Sequence, residues 1–186
     1  VLGSRGLGDV YKRQVFESVE HGYDTTDYRM IDRRLGTNEM FAHICDELHK
    51  NGIRVILDGV FSHTGADSIY FNKFGRYNTP GAYQSENSPY YSWYHFWGNK
   101  EYESWWGIDT LPNVDENNPS YTKYICGDDG VLDYWMNLGA AGYRLDVADE
   151  LPDEFLDNLR TCVKKYDEEK ICLLYTSPSP RDPKTS

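Results

Sequence analysis

The sequence predicts an α/β fold: a partial (β/α)8 TIM barrel made of about strands 2 to 4 with their helices, with an expanded loop after strand 3. Three observations predict it. Helical and strand-like segments alternate, polar residues follow the strand-like segments, and one aromatic-rich connection is far longer than the others. A doubly wound open sheet is the alternative, because part of a sheet cannot show closure.

The elements follow in order along the chain. Asn38 is predicted to cap a helix that ends near residues 51–52, because apolar residues recur within it at helical spacing. The β-branched run over 53–57 indicates a buried strand. A second helix is predicted over 120–138, with an interruption at 127–130, followed by a strand over 143–147. A last amphipathic helix begins after Pro152 and ends around Tyr166.

The two ends of the chain are assigned to cloning or sequencing DNA. One transposase-adapter sequence, read in both directions, translates to residues 4–14 and 172–181. We therefore expect adapter-derived tails over 1–14 and 172–186, without packed contacts, and a partial catalytic barrel domain over 15–171 that contains an inserted loop region over 62–119. The native start is then missing and the compartment cannot be read, although a cytoplasmic location is favoured over a secreted one.

Composition excludes several classes of protein. The formal charge is −11, and it becomes −14 without the tails, which argues against nucleic acid and anionic membranes as partners. The sequence contains no apolar run long enough to span a bilayer. Cys45, Cys126 and Cys162 are expected to be buried free thiols rather than a disulfide framework. The absence of a CxxC pattern or a close Cys/His pair gives no support for a metal cluster.

Acidic and basic residues stand at the ends of two predicted strands. Asp58 and His63 lie where one strand leads into a loop. A structural role is the alternative to a functional one, with Asp58 capping a turn and His63 bonding a loop carbonyl. Arg144 and Asp146 are two residues apart on a strand and therefore share a face. A guanidinium beside a carboxylate keeps it ionised, as a nucleophile requires. An ordinary ion pair is the alternative, although burying one is costly.

Four motifs in order resemble the alpha-amylase family, glycoside hydrolase family 13, and most of all its neopullulanase, cyclomaltodextrinase and amylopullulanase-type branch. They lie at residues 21–28, 58–63, 111–115 and 142–150. The resemblance implies a retaining mechanism with two carboxyl groups. It implies that Asp146 is the nucleophile and that Arg144 orients it. It also implies that Asp58, His63 and Tyr23 bind the sugar at the cleaved bond, and that Glu150 lies near the leaving glucosyl units.

Two departures from the family pattern matter. Ser62 stands where many alpha-amylases have an asparagine that binds calcium, and serine is the poorer ligand, so calcium is expected to be unnecessary here and doubtful even in the parent protein. The family's acid/base glutamate follows the fifth strand and its transition-state aspartate follows the seventh, both outside this chain. We therefore expect a fragment of an α-glucan hydrolase that carries the nucleophile, lacks the general acid and is inactive.

Several alternatives stay open at this stage. The substrate is expected to be a starch-derived glucan, a cyclodextrin or pullulan, and transfer to a sugar hydroxyl is an alternative to hydrolysis. A non-catalytic carbohydrate-binding or interaction module is the rival from another class, and a homodimeric parent is left open. The aromatic stretch over 90–106 has two interpretations, a small core for the long loop or a stacking platform for glucan chains.

Overall fold

The computed structural model describes residues 14–166 and 170–174. Short 3-10 turns lie at Tyr91–Trp93, Trp105–Gly107 and Ala148–Glu150. The helices and strands, in chain order, are β1 Phe16–Ser18, β2 Thr25–Ile31, α1 Asn38–Lys50, β3 Leu57–Gly59, β4 Phe96–Gly98, β5 Glu101–Tyr102, α2 Pro119–Cys126, α3 Val131–Asn137, β6 Gly142–Leu145, α4 Asp153–Tyr166 and β7 Ile171–Leu174.

A three-stranded parallel sheet organises the molecule. Strand β6 lies between β3 and β7, so the spatial order follows the chain order. Helices occupy both connections, as in consecutive units of a barrel, whereas a doubly wound sheet reverses its strand order. That the strands of this chain correspond to strands 2 to 4 of a complete barrel stays a prediction. The described part of the chain before α1 differs from the predicted barrel. There β1 and β2 form an antiparallel ribbon and not a parallel strand.

The predicted start of α1 is wrong by one residue. Thr37 is the N-cap, and its side chain accepts a hydrogen bond from the backbone N–H of Met40. Asn38 is used elsewhere, since its Oδ1 accepts from the N–H of Ile31 at 2.8 Å and its Nδ2 donates to the Tyr134 hydroxyl at 2.7 Å. Asn38 therefore ties β2 to α3, which a local capping pattern cannot show.

The two parallel strands begin and end at different residues from those predicted. The ladder of β3 starts at Leu57 because its partner β6 starts only at Gly142. One hydrogen bond precedes it, from the N–H of Ala141 to the Val55 carbonyl at 2.7 Å. The second strand ends before Val147, whose φ of +44° is left-handed and turns the chain. The interrupted helix is confirmed as α2 and α3, and the helix after Pro152 is confirmed as α4.

Aromatic side chains dominate the main core. Trp135 of α3 is fully buried, and its indole N–H donates to the Tyr28 carbonyl at 2.7 Å. That bond satisfies the one polar atom of a large apolar ring. Phe16 and Phe41 contact the same ring at centroid distances of 5.5 and 5.2 Å. The core therefore joins the β1–β2 ribbon, α1 and α3 beside the parallel sheet.

Aromatic side chains of the long connection over 62–119 pack into the main core. Tyr70, Phe71, Trp93 and Tyr94 are buried, with ring contacts such as Phe71 to Tyr94 at 4.8 Å. Trp93 and Tyr94 of the aromatic stretch therefore have a packing role, although in the main core and not in a separate small core of the loop. Two tryptophans of the same stretch stay exposed, Trp97 at 62% and Trp106 at 79%.

The expectation that both tails lack packed contacts is wrong where they are described. Gln14 is buried, and Cys172 packs against the core within strand β7, which pairs with β6. The reason is that Ile171 and the residues after it form an apolar run that extends the sheet by one strand. Residues 1–13 and 175–186 lie outside the described residues, and the origin of both tails stays a prediction.

The cysteines of the predicted set are free, with Cys45 and Cys162 buried and Cys126 partly buried. Burial raises the pKa of Cys162 to about 12, so this thiol is unreactive at neutral pH. Across residues 14–166 and 170–174, none of the helices is both long and apolar enough to cross a membrane.

Candidate active site

The structure brings three predicted residues together at the carboxyl ends of β3 and β6. Asp58 and Arg144 are register partners on these strands. The guanidinium of Arg144 contacts Asp58 Oδ1 through Nη1 at 2.5 Å and Asp146 Oδ1 through Nη2 at 2.7 Å. Asp146 follows the last residue of β6, but its N–H still donates to the Gly59 carbonyl at 3.0 Å. The ladder thus extends far enough to fix the direction of Asp146.

This cluster is largely shielded from water. The side chains of Arg144, Asp58 and Asp146 are 15%, 8% and 22% exposed. The pKa of Arg144 is raised, since the hydrogen bonds and charges of the two aspartates outweigh the opposing effect of burial. One fixed cation therefore serves two carboxylates.

Tyr23 joins the cluster from the loop between β1 and β2. Its phenol lies close enough to Arg144, Asp58 and Asp146 for their charges to act on it. Burial, and then the negative charges of Asp58 and Asp146, raise the pKa of Tyr23. The ring is therefore a neutral phenol at the edge of the charged cluster, with a half-buried aromatic face.

Asp24 shapes the loop that carries Tyr23. Its Oδ2 accepts hydrogen bonds from the N–H groups of Val19 and Glu20 at 3.1 and 2.8 Å, and its Oδ1 accepts from Gly22 at 3.1 Å. A carboxylate that satisfies three backbone donors replaces the regular hydrogen bonds that a loop lacks. The sequence motif 21–28 contains Asp24, but its structural role was not predicted.

His63 connects three parts of the site. Its Nε2 lies 3.1 Å from the Tyr23 carbonyl and its Nδ1 lies 3.0 Å from Ser62 Oγ. Burial lowers the pKa of His63 to about 4, so the ring is neutral at pH 7. A carbonyl only accepts, hence Nε2 carries the proton and Nδ1 accepts from the Ser62 hydroxyl. The ring also contacts Trp105 at a centroid distance of 5.3 Å.

Calcium is the one metal that the family resemblance raises at this site. The Ser62 side chain is buried, and its hydroxyl proton is committed to His63. Calcium prefers six to eight oxygen ligands, including carboxylates. Among the described residues no group of three or more His, Cys, Asp and Glu side chains is arranged to hold a metal ion. The side chains around Ser62 thus give no support for a calcium site, and the expectation that no cofactor is required stays a prediction.

The motif over 111–115 runs antiparallel beside the loop that follows β3. The N–H of Val114 donates to the Ser62 carbonyl, and the N–H of Thr64 donates to the Pro112 carbonyl, both at 3.1 Å. The four sequence motifs therefore lie together at the carboxyl ends of β3 and β6. The long connection is anchored to the strand end that carries Asp58.

Glu150 lies farther from the cluster, on the 3-10 turn that follows Val147. Its Oε2 accepts from the indole N–H of Trp105 at 2.7 Å, and its Oε1 accepts from that of Trp106 at 3.0 Å. The two tryptophans come from the long connection, more than 40 residues earlier. Both tryptophans lie in the aromatic stretch over 90–106, but their contact with Glu150 was not predicted from the sequence. The visible signal was an adjacent tryptophan pair followed by glycine.

A cavity of about 510 Å³ opens beside these residues, and Ser62, Trp105, Asn113, Glu116 and Glu150 are among those that line it. Burial, together with the charges of three neighbouring carboxylates, raises the pKa of Glu116 to about 7. Glu116 was not predicted from the sequence, because its burial depends on the folded long connection. The cavity has the size of a small-ligand site.

Comparisons with known proteins agree with this geometry. A family model described as "Alpha amylase, catalytic domain" matches residues 6–172, and so begins within the first predicted tail. An amylopullulanase of Thermoanaerobacterium thermosulfurigenes is 39% identical over 87% of this chain. Neopullulanase 2 of Thermoactinomyces vulgaris is 30% identical over 91% of it.

Solved structures agree as well. The ligand-free cyclic alpha-maltosyl-(1→6)-maltose hydrolase of Arthrobacter globiformis matches with a TM-score of 0.76 and 30% identity over 86% of this chain and 36% of its own. The solved neighbours have the TIM barrel fold of alpha-amylase catalytic domains. The chain spans 10% of the amylopullulanase and 29% of the neopullulanase. The chain belongs to the alpha-amylase catalytic-domain family, glycoside hydrolase family 13.

Proposed function

We propose that this chain is the nucleophile-bearing part of a retaining α-glucan hydrolase, and that Asp146 is the nucleophile. The observation that carries the proposal is the guanidinium of Arg144, bonded to both Asp58 and Asp146 at the ends of adjacent parallel strands. With Oδ1 of Asp146 held by Arg144, its second carboxylate oxygen is the one proposed to attack the anomeric carbon.

The neighbouring residues are proposed to bind the sugar at the cleaved bond. Tyr23 presents an aromatic ring beside the cluster, and sugar rings have apolar faces that stack on such a ring. Asp58 is bonded to Arg144 on one oxygen and is proposed to accept hydrogen bonds from sugar hydroxyls. His63 is proposed to hold the Tyr23 loop, through its bond to the Tyr23 carbonyl.

The names of the relatives support the substrate class. They include an amylopullulanase, a neopullulanase and a cyclomaltodextrinase, which are glycoside hydrolases of the amylase type. We accordingly propose that the parent protein acts on starch-derived glucans, cyclodextrins or pullulan. Because the chain spans only part of these relatives, its own turnover is a separate question.

We further propose that the chain as given does not turn over natural glucans. In the family, the general acid follows a strand beyond those described here. General acid catalysis typically raises the reaction rate about 10²–10⁴-fold. An activated substrate avoids that need. In α-maltotriosyl fluoride the carbon–fluorine bond breaks as Asp146 attacks, fluoride leaves with the bonding electrons, and a glycosyl ester forms on Asp146.

The test is mass spectrometry of the folded chain after incubation with α-maltotriosyl fluoride. We expect slow addition of one maltotriosyl group, located by peptide mapping at Asp146. The Asp146→Asn variant should take no label. Asp115→Asn is the matched control and should be labelled like the unaltered chain, since Asp115 is an exposed carboxylate of the adjacent cavity.

The outcomes separate the proposals. A folded chain that binds starch but takes no label would favour the non-catalytic binding module over an enzyme. Starch turnover that is lost in Asp146→Asn would refute the inactivity of the chain and would place a general acid within it. A label on another carboxylate would refute the assignment of Asp146.

A further inference from the structure

Two adjacent tryptophans share one carboxylate at the rim of the site. Trp105 and Trp106 each donate an indole hydrogen bond to a different oxygen of Glu150, at 2.7 and 3.0 Å. The ring edges are thus fixed by their N–H groups. The centroids lie 5.8 Å apart at 45°, so the rings form an angled pair rather than a closed stack.

Trp106 is held in a conformation that costs free energy. Its φ is +52°, in the left-handed region that residues with a side chain seldom occupy. At 79% exposure the ring recovers little of that cost by burial. An indole fixed at its edge and open on its face is suited to a ligand with a flat apolar face.

The tryptophan pair is continuous with the proposed sugar site. Trp105 contacts the ring of His63 at 5.3 Å, and His63 in turn contacts the Tyr23 carbonyl. Trp105 and Glu150 also line the cavity of about 510 Å³. A glucan chain bound near Asp146 that extends over this rim would meet Trp106.

We infer that Trp106, braced by Glu150, is a stacking subsite for one glucosyl unit of an α-glucan, outside the sugar at the cleaved bond. This inference rests on the proposed function. The carboxylate of Glu150 has about four acceptor positions, of which the two indoles use two. In this inference the other two accept from hydroxyl groups of the same sugar. The subsite therefore combines an apolar face with acceptors at its edge, which matches the apolar face and the hydroxyl-bearing edge of a glucosyl ring.

The experiment is affinity electrophoresis of the 186-residue chain in native gels that contain soluble starch, supported by calorimetric titration with maltohexaose. Trp106→Ala should weaken binding about 3- to 10-fold, in line with the energies of aromatic stacking contacts. Trp106→Phe should retain most of the affinity. Trp97→Ala is the matched control and should bind normally, because Trp97 is also exposed but its ring contacts His95.

Glu150→Gln gives a second readout. An amide offers one acceptor oxygen, so one indole loses its partner. We expect weaker starch retardation and greater acrylamide quenching of tryptophan fluorescence than in the unaltered chain. Hydroxyethyl cellulose in place of starch should retard none of the variants, because the proposed subsite serves α-linked chains.

The possible results test the stacking subsite, the proposed function and the assignment to Trp106 separately. Equal binding by Trp106→Ala, Trp97→Ala and the unaltered chain, all with native circular dichroism, would overturn the stacking subsite and leave the proposed function standing. A folded, unaltered chain that does not bind starch and takes no maltotriosyl label would overturn both. If Trp97→Ala weakened binding as much as Trp106→Ala, the assignment to Trp106 would be wrong.

Discussion

Replacing Arg144 with methionine tests whether the charged cluster is a coupled unit. The variant keeps a long side chain but removes the only cation that bonds both Asp58 and Asp146 among the contacts described. Breaking a buried ion pair from one side costs about 3–5 kcal/mol, because a charge is left without compensation. With 15% exposure of Arg144 and 8% of Asp58, the cluster belongs to that class. We therefore expect Arg144→Met to lower the free energy of unfolding at pH 7 by about 3–5 kcal/mol.

The assay is urea unfolding followed by tryptophan fluorescence at pH 7. Lys165→Met is the control: Lys165 also bonds a carboxylate, that of Asp128, but the two side chains are 62% and 89% exposed, and exposed pairs contribute about 0–1 kcal/mol.

The double variant Asp58→Asn with Arg144→Met keeps the test decisive if the single variant does not fold. Removal of the stranded charge should restore part of the stability, with a coupling energy of about 1–3 kcal/mol. The reasoning would be refuted if Arg144→Met cost no more than Lys165→Met.

Three further predictions concern residues around the cluster. Glu116 has its pKa raised to about 7 by burial, so its stabilising contribution is fully present below about pH 4 and is lost as the pH rises through 7. The free energies of unfolding measured in urea at pH 5 and pH 8 should therefore differ less in Glu116→Gln than in the unaltered chain, by up to about 3 kcal/mol, and an equal change with pH in both proteins would contradict this. Asp24→Ala removes the acceptor of three backbone N–H groups and should lower the free energy of unfolding by about 1–3 kcal/mol. Amide hydrogen exchange at 19–22 should be faster in this variant, whereas Glu20→Ala should not change that exchange. Ser62→Ala removes the donor to His63 and should cost about 1 kcal/mol. Because calcium is expected to be unnecessary, excess calcium and EGTA should give the unaltered chain the same melting temperature, and a rise with calcium that Ser62→Ala abolishes would contradict this.

Residues on strands were placed correctly from the sequence because a strand has a fixed side-chain period. Arg144 and Asp146 were predicted to share a face from their spacing alone, and both reach the cluster. The same period failed to give the strand ends. Those depend on the partner strand, since residues 53–56 have no ladder opposite them until β6 begins at Gly142.

Residues on the long connection were not placed, because their contacts are long-range and aperiodic. Trp105, for example, meets Glu150, which is 45 residues away. The sequence identified 62–119 as a long, aromatic-rich connection, but it could not separate the buried Trp93 from the exposed Trp106. Burial of such a residue is decided only when the connection has packed onto the main core.

His63 shows how the predictable and the unpredictable halves of the site are joined. It follows β3, so its place at the strand end was visible in the sequence, while its partners Tyr23 and Trp105 come from two separate loops. Because its pKa is about 4, the ring stays neutral from pH 5 upward, and the bonds to Ser62 and Tyr23 do not change over that range. An imidazolium would carry protons on both nitrogens, and the Ser62 hydroxyl would have to turn away. The Tyr23 loop is therefore held against the strand end over the whole neutral range. Of His63 and Glu116, Glu116 is therefore the one whose pKa lies near 7.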